Sequence, residues 1–372
     1  MVPYFLLLLI PLFCQMFLAL TKDKILVGNE RKQINCQNVV LPIFFILFLL
    51  MLSLRDQSLG RDLPNYNSIF SDWGHVTFSK VFSNWQECLF HFYCWLFYNY
   101  ISTSFQIFVS VTAIISVLPI FYVYNKNRTH GYLKIAVFVN MSTFIMLFSG
   151  IRQGLAIAVG ILAYQALIDK KYLKFLIFVI IASFIHHTGF MTLLLLPLCK
   201  FKIKKLDYLW IVPSSLVVFA FRNRIFNTLA GLLADSNEKY SATAETNGAF
   251  GSFVLFLLFT SFYCVIIDEF EMDEEAYALK NILIFATIMQ MFASVNTLAM
   301  RMNYYFIILI PLALGKCLNY TKVRYIQAAK VGEMMISTFF TFYFFYTVYK
   351  STVTGISTLD TIPYVPFWEG VN

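Results

Sequence analysis

Apolar runs recur along the whole chain, separated by short polar segments, and many approach the roughly 20 residues that a helix needs to cross a bilayer. They predict spans near 2–20, 38–54, 104–124, 135–149, 154–168, 207–221, 251–267, 281–298, 303–318 and 333–350. Strand-like period-two alternation is absent. Inside lipid the backbone must satisfy its own hydrogen bonds, so the runs are read as helices. The first run has no basic residue ahead of it and no small-residue cleavage pattern behind it, and is expected to be an uncleaved span. Residues 172–198 are interrupted by His186, His187, Thr188 and Gly189, and residues 86–101 form an aromatic, amphipathic stretch expected to lie in the outer interface or to dip partly inward. The expected fold class is all-α, a polytopic membrane protein with about 10–13 transmembrane helices including a short broken hairpin. It is expected to be a single integral membrane domain over 1–372, with outer loops at about 55–103 and 222–250.

Composition agrees with this pattern. Of 372 residues, 59% are hydrophobic and 13% charged, against about 25% charged in a soluble chain. The net charge of +8 is no nucleic-acid signal, because the basic residues sit in short loops between spans. Lys and Arg favour cytoplasmic loops. Starting residue 1 outside and treating 172–198 as a hairpin puts 19 basic residues inside and 9 outside. A half-hairpin of 11 residues would be about 16 Å long, short of a hydrocarbon core of about 30 Å. Reading 172–198 as one continuous helix would invert every later loop and spoil the charge count. Sixteen of the inner residues are Lys, whereas six of the outer ones are Arg: Arg55, Arg61, Arg152, Arg222, Arg224 and Arg301. Arginine offers a planar fork that matches phosphate oxygens, and lysine a point charge. Arginines on the face where the orientation rule disfavours positive charge point to a ligand, although Arg222 and Arg224 read better as interfacial anchors. The acidic run Asp268, Glu269, Glu271, Asp273, Glu274 and Glu275 reads as a solvated inner face.

Ionisable residues at membrane depth are functional candidates. Arg152 and Arg301 lie at outer junctions of spans, and His186 and His187 at a helix break; from three separate segments they are expected to serve one outward-facing cavity. The segment from Arg55 to Trp85 mixes aromatics with carboxylates and arginines, the composition that sugar binding requires. Cys88, His91 and Cys94 have helical spacing, but two thiols on an aromatic face read as packing rather than ligation. The seven cysteines include no C-x-x-C pair, and Asp-x-Asp is absent. The expectation is no metal and no cofactor.

Gly60-Arg61-Asp62 with Tyr66, Ser149-Gly150-Ile151-Arg152-Gln153-Gly154, Ile185-His186-His187-Thr188-Gly189, Arg301-Met302-Asn303-Tyr304-Tyr305 and Pro363-Tyr364 resemble, in order, the landmarks of the EpsG type of Wzy-like polysaccharide polymerase. The resemblance implies a glycosyltransferase-C-like, multi-pass protein of the bacterial inner membrane that makes O-antigen, capsule or exopolysaccharide. Such an enzyme transfers a growing glycan from polyprenyl diphosphate onto a lipid-linked repeat unit at the outer face. It further implies His186 as catalytic base, Asp62 as a residue orienting the acceptor or the histidine, and Arg152 and Arg301 as diphosphate ligands. Arg61, Tyr66, Gln153, His187 and Tyr304 are further substrate-binding candidates. Implied partners are the polyprenyl-diphosphate-linked oligosaccharide, the lipid bilayer and a chain-length regulator, with no nucleic acid. Competing readings are an O-antigen ligase-like glycosyltransferase, which differs in acceptor, and a lipid-linked oligosaccharide flippase. A transporter would place its polar groups near the midplane and often show internal repeats, and none is apparent.

Overall fold

The computed structural model describes residues 1–372 except 21–23, 28–29, 34–36, 84, 127–128, 234–248, 269, 271, 294 and 371–372. Lys22, Arg128 and Lys239 of the charge count, Glu269 and Glu271 of the acidic run, and 234–248 of the expected loop 222–250 lie outside the described residues. The helices run α1 (Val2–Leu20), α2 (Gln37–Ser53), α3 (Leu63–Gly74), α4 (Phe78–Val81), α5 (Cys88–Tyr100), α6 (Phe105–Lys126), α7 (Gly131–Val139), α8 (Ser142–Ser149) and α9 (Ile151–Ile168). They continue as α10 (Tyr172–Ile185), α11 (Leu195–Lys200), α12 (Tyr208–Leu233), α13 (Ala249–Ile267), α14 (Glu274–Ala293), α15 (Thr297–Ile307), α16 (Ile310–Arg324) and α17 (Ile326–Thr354). A small antiparallel pair, β1 (Lys24–Val27) and β2 (Glu30–Gln33), joins α1 to α2 with Lys24 opposite Gln33. It departs from the purely helical expectation only locally, because strands of four residues leave no alternation to detect.

Among the described residues five helices are long and apolar enough to cross a membrane: Phe105–Lys126, Ile151–Ile168, Lys205–Thr228, Phe250–Ile267 and Glu274–Ala293. The number becomes seven if each of two bent pairs is one span. Shorter apolar helices are Val2–Phe17, Val39–Ser53 and Tyr172–Ile185. Apart from the β1–β2 pair, the described residues form an all-helical, multi-pass membrane protein.

Both bends have local causes. The expected span 135–149 breaks between α7 and α8 at 64°. There the Asn140 amide donates to the Ala136 carbonyl (2.8 Å) and to the Phe340 carbonyl of α17 (2.9 Å), taking up acceptors that a continuous helix and its neighbour would leave to the backbone. The expected span 303–318 bends by 41° between α15 and α16. Pro311, in the first turn of α16, has no N–H to give the preceding turn.

The chain forms two compact units, residues 1–192 with 327–372 and residues 193–326. In the first unit, Lys126 at the end of α6 and Lys171 both pair with Asp169 at the end of α9, and His130 pairs with Glu333 of α17 at 2.8 Å. At the other end of α6, Gln106 donates to the Ser53 carbonyl closing α2 (2.7 Å). That second end carries a strap formed by the C-terminal segment. The Asp56 N–H donates to Val365, Gly60 to Asp360 and Arg61 to Leu359, while the Phe367 N–H donates to Leu54. Arg55 is 3% exposed beneath the strap and donates to the Leu52 carbonyl. Gly60 has a φ of +120°, and a side chain there would press into the Phe148 carbonyl at 2.6 Å; only glycine meets both demands.

The second unit contains a buried ion pair. Lys280 (side chain 0% exposed) lies 2.9 Å from Asp268 (5%), which also accepts from the Tyr208 hydroxyl at 2.8 Å. Lys280 also donates to the Ile203 carbonyl. This corrects the solvated-face reading of the acidic run at Asp268. Asp273 and Glu275 are likewise engaged, by Lys316 at 2.7 and 2.8 Å. Removing one member of a buried pair strands the other charge, so Lys280→Met is expected to destabilise the fold by about 3–5 kcal/mol. The double change Lys280→Met/Asp268→Asn should recover most of that loss. Thermal unfolding in detergent measures both, and equal midpoints for the single variant and the wild type would contradict the assignment.

Candidate active site

The first unit draws its motif residues together in three steps. Asp62 precedes α3, whose first turn contains Pro64, and its carboxylate makes no cap to that helix. Instead it accepts from the Ser149 hydroxyl at 3.1 Å, and the same hydroxyl accepts from the Asp62 N–H at 3.1 Å. Ser149 ends α8, Gly150 breaks the chain direction, and α9 begins with Ile151-Arg152. The strapped loop and the α8–α9 turn are thereby stitched together beside Arg152.

Next, α10 stops. Its 14 residues amount to about 21 Å, well short of a bilayer core of about 30 Å. His186 leaves the helix with extended backbone (φ −147°, ψ 131°), and residues His187–Leu194 form a 3-10 turn. Gly189 then lies against the Ala182 backbone so closely that a Cβ would collide with that carbonyl. A straight helix would carry residue 189 about 10 Å along the axis from residue 182, so the chain folds back here. The continuous 172–198 helix is not formed.

The third step is one that sequence reasoning missed. Glu87, immediately before α5, has a left-handed backbone (φ 60°, ψ 23°), which is uncommon for a residue with a side chain. Its carboxylate does not cap α5. One oxygen accepts from the His186 Nδ1, from the His187 Nδ1 at 3.1 Å and from the His187 backbone N–H at 3.4 Å; the other pairs with Arg152 Nη1. Burial alone would push the Glu87 carboxyl up, but the hydrogen bonds from both histidines and the Arg152 charge outweigh it. They hold the group well below the ordinary carboxylate range, so Glu87 stays ionised at neutral pH.

Beneath this cluster is an aromatic floor. The Arg152 guanidinium carbon lies 5.9 Å from the Tyr66 ring centre and 5.7 Å from that of Phe90, within cation–π range. Tyr66, Phe90, Cys94 and Phe97 belong to the core shared by α3 and α5. The expected interfacial stretch 86–101 therefore contributes a core helix. His91 stacks on Trp73 with ring centres 4.0 Å apart, and Cys94 is fully buried, as packing residues are.

The remaining candidates are placed as follows. His187 is half-exposed at the rim (side chain 47%) and His186 is buried. Gln153 is buried on α9. Arg61 faces outward and pairs with Asp360 of the strap at 3.1 Å, an exposed pair of small energetic value. Asp62 holds Ser149, and the carboxylate on the histidine is that of Glu87. Arg301, exposed on α15, and Tyr304, buried there, belong to the second unit. The pairing of Arg152 with Arg301 on one diphosphate is thus an expectation carried by the sequence alone.

No metal cluster is expected from the sequence. Among the described residues, one group has suitable atoms: a Glu87 oxygen and a ring nitrogen from each of His186 and His187 lie within 4.8 Å of one another. Both histidine Nδ1 atoms already reach the same oxygen, and Arg152 balances the carboxylate charge, so the donors and acceptors match without a cation.

No curated protein and no solved structure matches the chain significantly. The sequence model of the EpsG family matches residues 38–365. That interval holds Gly60-Arg61-Asp62, Glu87, Arg152, both histidines and Pro363-Tyr364, and the chain belongs to the EpsG family.

Proposed function

We propose that this protein is a polysaccharide polymerase, a glycosyltransferase that uses a polyprenyl-diphosphate-linked oligosaccharide as donor at the outer face of the bacterial inner membrane. Membership of the EpsG family supports a polysaccharide polymerase-type role in a multi-pass membrane protein. The observation that carries the finer reading is the convergence of Arg152, His186 and His187, from separate segments, on one internal anion. A cluster that gathers an arginine and two imidazoles has the donors that an anionic leaving group needs, together with a base.

In the proposed reaction the acceptor sugar hydroxyl attacks the anomeric carbon of the donor glycan. The new C–O bond forms as the bond to the lipid diphosphate breaks, and the diphosphate departs with the electron pair. The hydroxyl proton passes to His186, whose neutral imidazole has a ring nitrogen with a lone pair to take it. Arg152 offsets the charge that builds on the diphosphate oxygens. Glu87 already occupies one of its N–H groups, and Nε is buried without a hydrogen-bond partner, so the phosphate meets the exposed remainder of the guanidinium.

Deleting the gene and resolving the surface glycan on a gel tests the reading. Loss of the ladder with single-repeat glycan retained is the expected result, whereas loss of all surface glycan would indicate a flippase or a ligase. A second expectation is that turnover continues in excess chelator. Inactivation reversed by a divalent cation would overturn the metal-independent chemistry.

A further inference from the structure

We infer that Glu87 is the positioning residue of the reaction, fixing the tautomer and orientation of His186 so that its Nε2 is the nitrogen able to take the acceptor's proton. This rests on the reading of His186 as base.

Three independent features lead here. Glu87 stands at the start of a helix, where its carboxylate would ordinarily serve that helix's free N–H groups; instead it reaches a histidine 99 positions away. Its backbone sits in the left-handed region, a conformation uncommon for a residue with a side chain that persists where surrounding structure imposes it. It is also held from every side: Arg152 on one oxygen, His187 through ring and backbone on the other, and His186 on that same oxygen. A carboxylate so restrained cannot swing away from His186.

The chemistry follows from the atoms. A carboxylate accepts only, so the Nδ1 of His186 must carry the hydrogen, and in the neutral ring the lone pair is then on Nε2. When Nε2 takes the proton, the fixed negative charge stabilises the imidazolium. The charged and titratable groups facing His186 are Glu87, His187 and Arg152. Of these, Glu87 alone favours the protonated ring; Arg152 and protonated His187 oppose it.

The test uses the full-length protein in detergent or vesicles, with lipid-linked single repeats extracted from cells lacking the gene as substrate. Glu87→Gln keeps the shape and removes the charge. It is expected to lower kcat by roughly 10²–10⁴-fold, the range of acid–base assistance, with little change in KM. The acid limb of the rate profile should move to lower pH, since loss of the carboxylate lets His186 shed its proton more readily. Glu87→Asp, which keeps the charge on a shorter arm, should recover part of the rate and leave that limb near its wild-type position. The double variant Glu87→Gln/His186→Ala should be no slower than His186→Ala, because Glu87 acts through the ring.

Size-exclusion profiles report folding, and if Glu87→Gln aggregates the Glu87→Asp limb carries the decision. Wild-type kcat in folded Glu87→Gln, an unmoved acid limb, or a double variant slower than His186→Ala by the full Glu87 factor would each overturn the inference. Loss of wild-type activity with chelator, restored by a divalent cation, would do so too, by making Glu87, His186 and His187 metal ligands. Full activity of His186→Ala would instead remove the base reading, a result distinct from all of these.

Discussion

Replacing His186 by alanine is expected to lower turnover by about 10²–10⁴-fold while the protein still inserts and elutes as a folded species. His186 is the buried ring of the pair and the one that leaves α10 in extended conformation. His187 is half-exposed, shares the same carboxylate oxygen more distantly, and should tolerate replacement far better. His186→Gln separates the two duties of the ring: its amide can still donate to Glu87 but cannot accept a proton at neutral pH, so it should be as slow as the alanine variant. Rates on extracted lipid-linked repeats decide the matter, and a normal glycan ladder from cells carrying only His186→Ala would refute the base assignment.

Arg152→Lys should be the second most damaging change, lowering the rate by about 10²–10³-fold, the scale of losing one preorganised donor to developing charge. The substitution preserves charge and removes the fork. Arg152 spans from Glu87 to the space above Tyr66 and Phe90, and an ammonium, with its three N–H groups on one atom, lacks the planar fork that can hold the carboxylate on one nitrogen and meet a phosphate on another. Arg152→Lys with an unchanged rate would show that only the positive charge matters and would remove the geometric argument for diphosphate recognition.

How much of this was legible in the sequence differs from element to element. The apolar runs announced most of the helices, and the His-His-Thr-Gly interruption announced the end of α10. The two bends were written in single residues, Asn140 and Pro311, that an average over an apolar window smooths away. Lys280 and Asp268 looked like loop charges because nothing in a linear string shows that two short polar stretches close on each other. Glu87 was hidden for a related reason. It is the only acidic residue between Asp72 and Asp169, a signal available beforehand, yet it has no periodic neighbours and its partners are far along the chain. A lone carboxylate opening an aromatic helix merits attention beside a histidine pair lacking an obvious orienter. Asp62 attracted that role because it belongs to a recognisable triplet, whereas its carboxylate is committed to Ser149.

The strap formed by residues 359–367 bears on how the turn carrying Arg152 is held. The Arg61 side chain finds its partner 299 positions downstream, and the backbone of 54–61 finds its partners between Leu359 and Phe367. That same loop leads into Asp62, which grips the turn carrying Arg152. A chain cut before Leu359 would hold every helix of the site yet leave that edge unfastened. The strap thereby works as a clasp: residues outside the cluster hold the loop whose Asp62 grips the turn that carries Arg152.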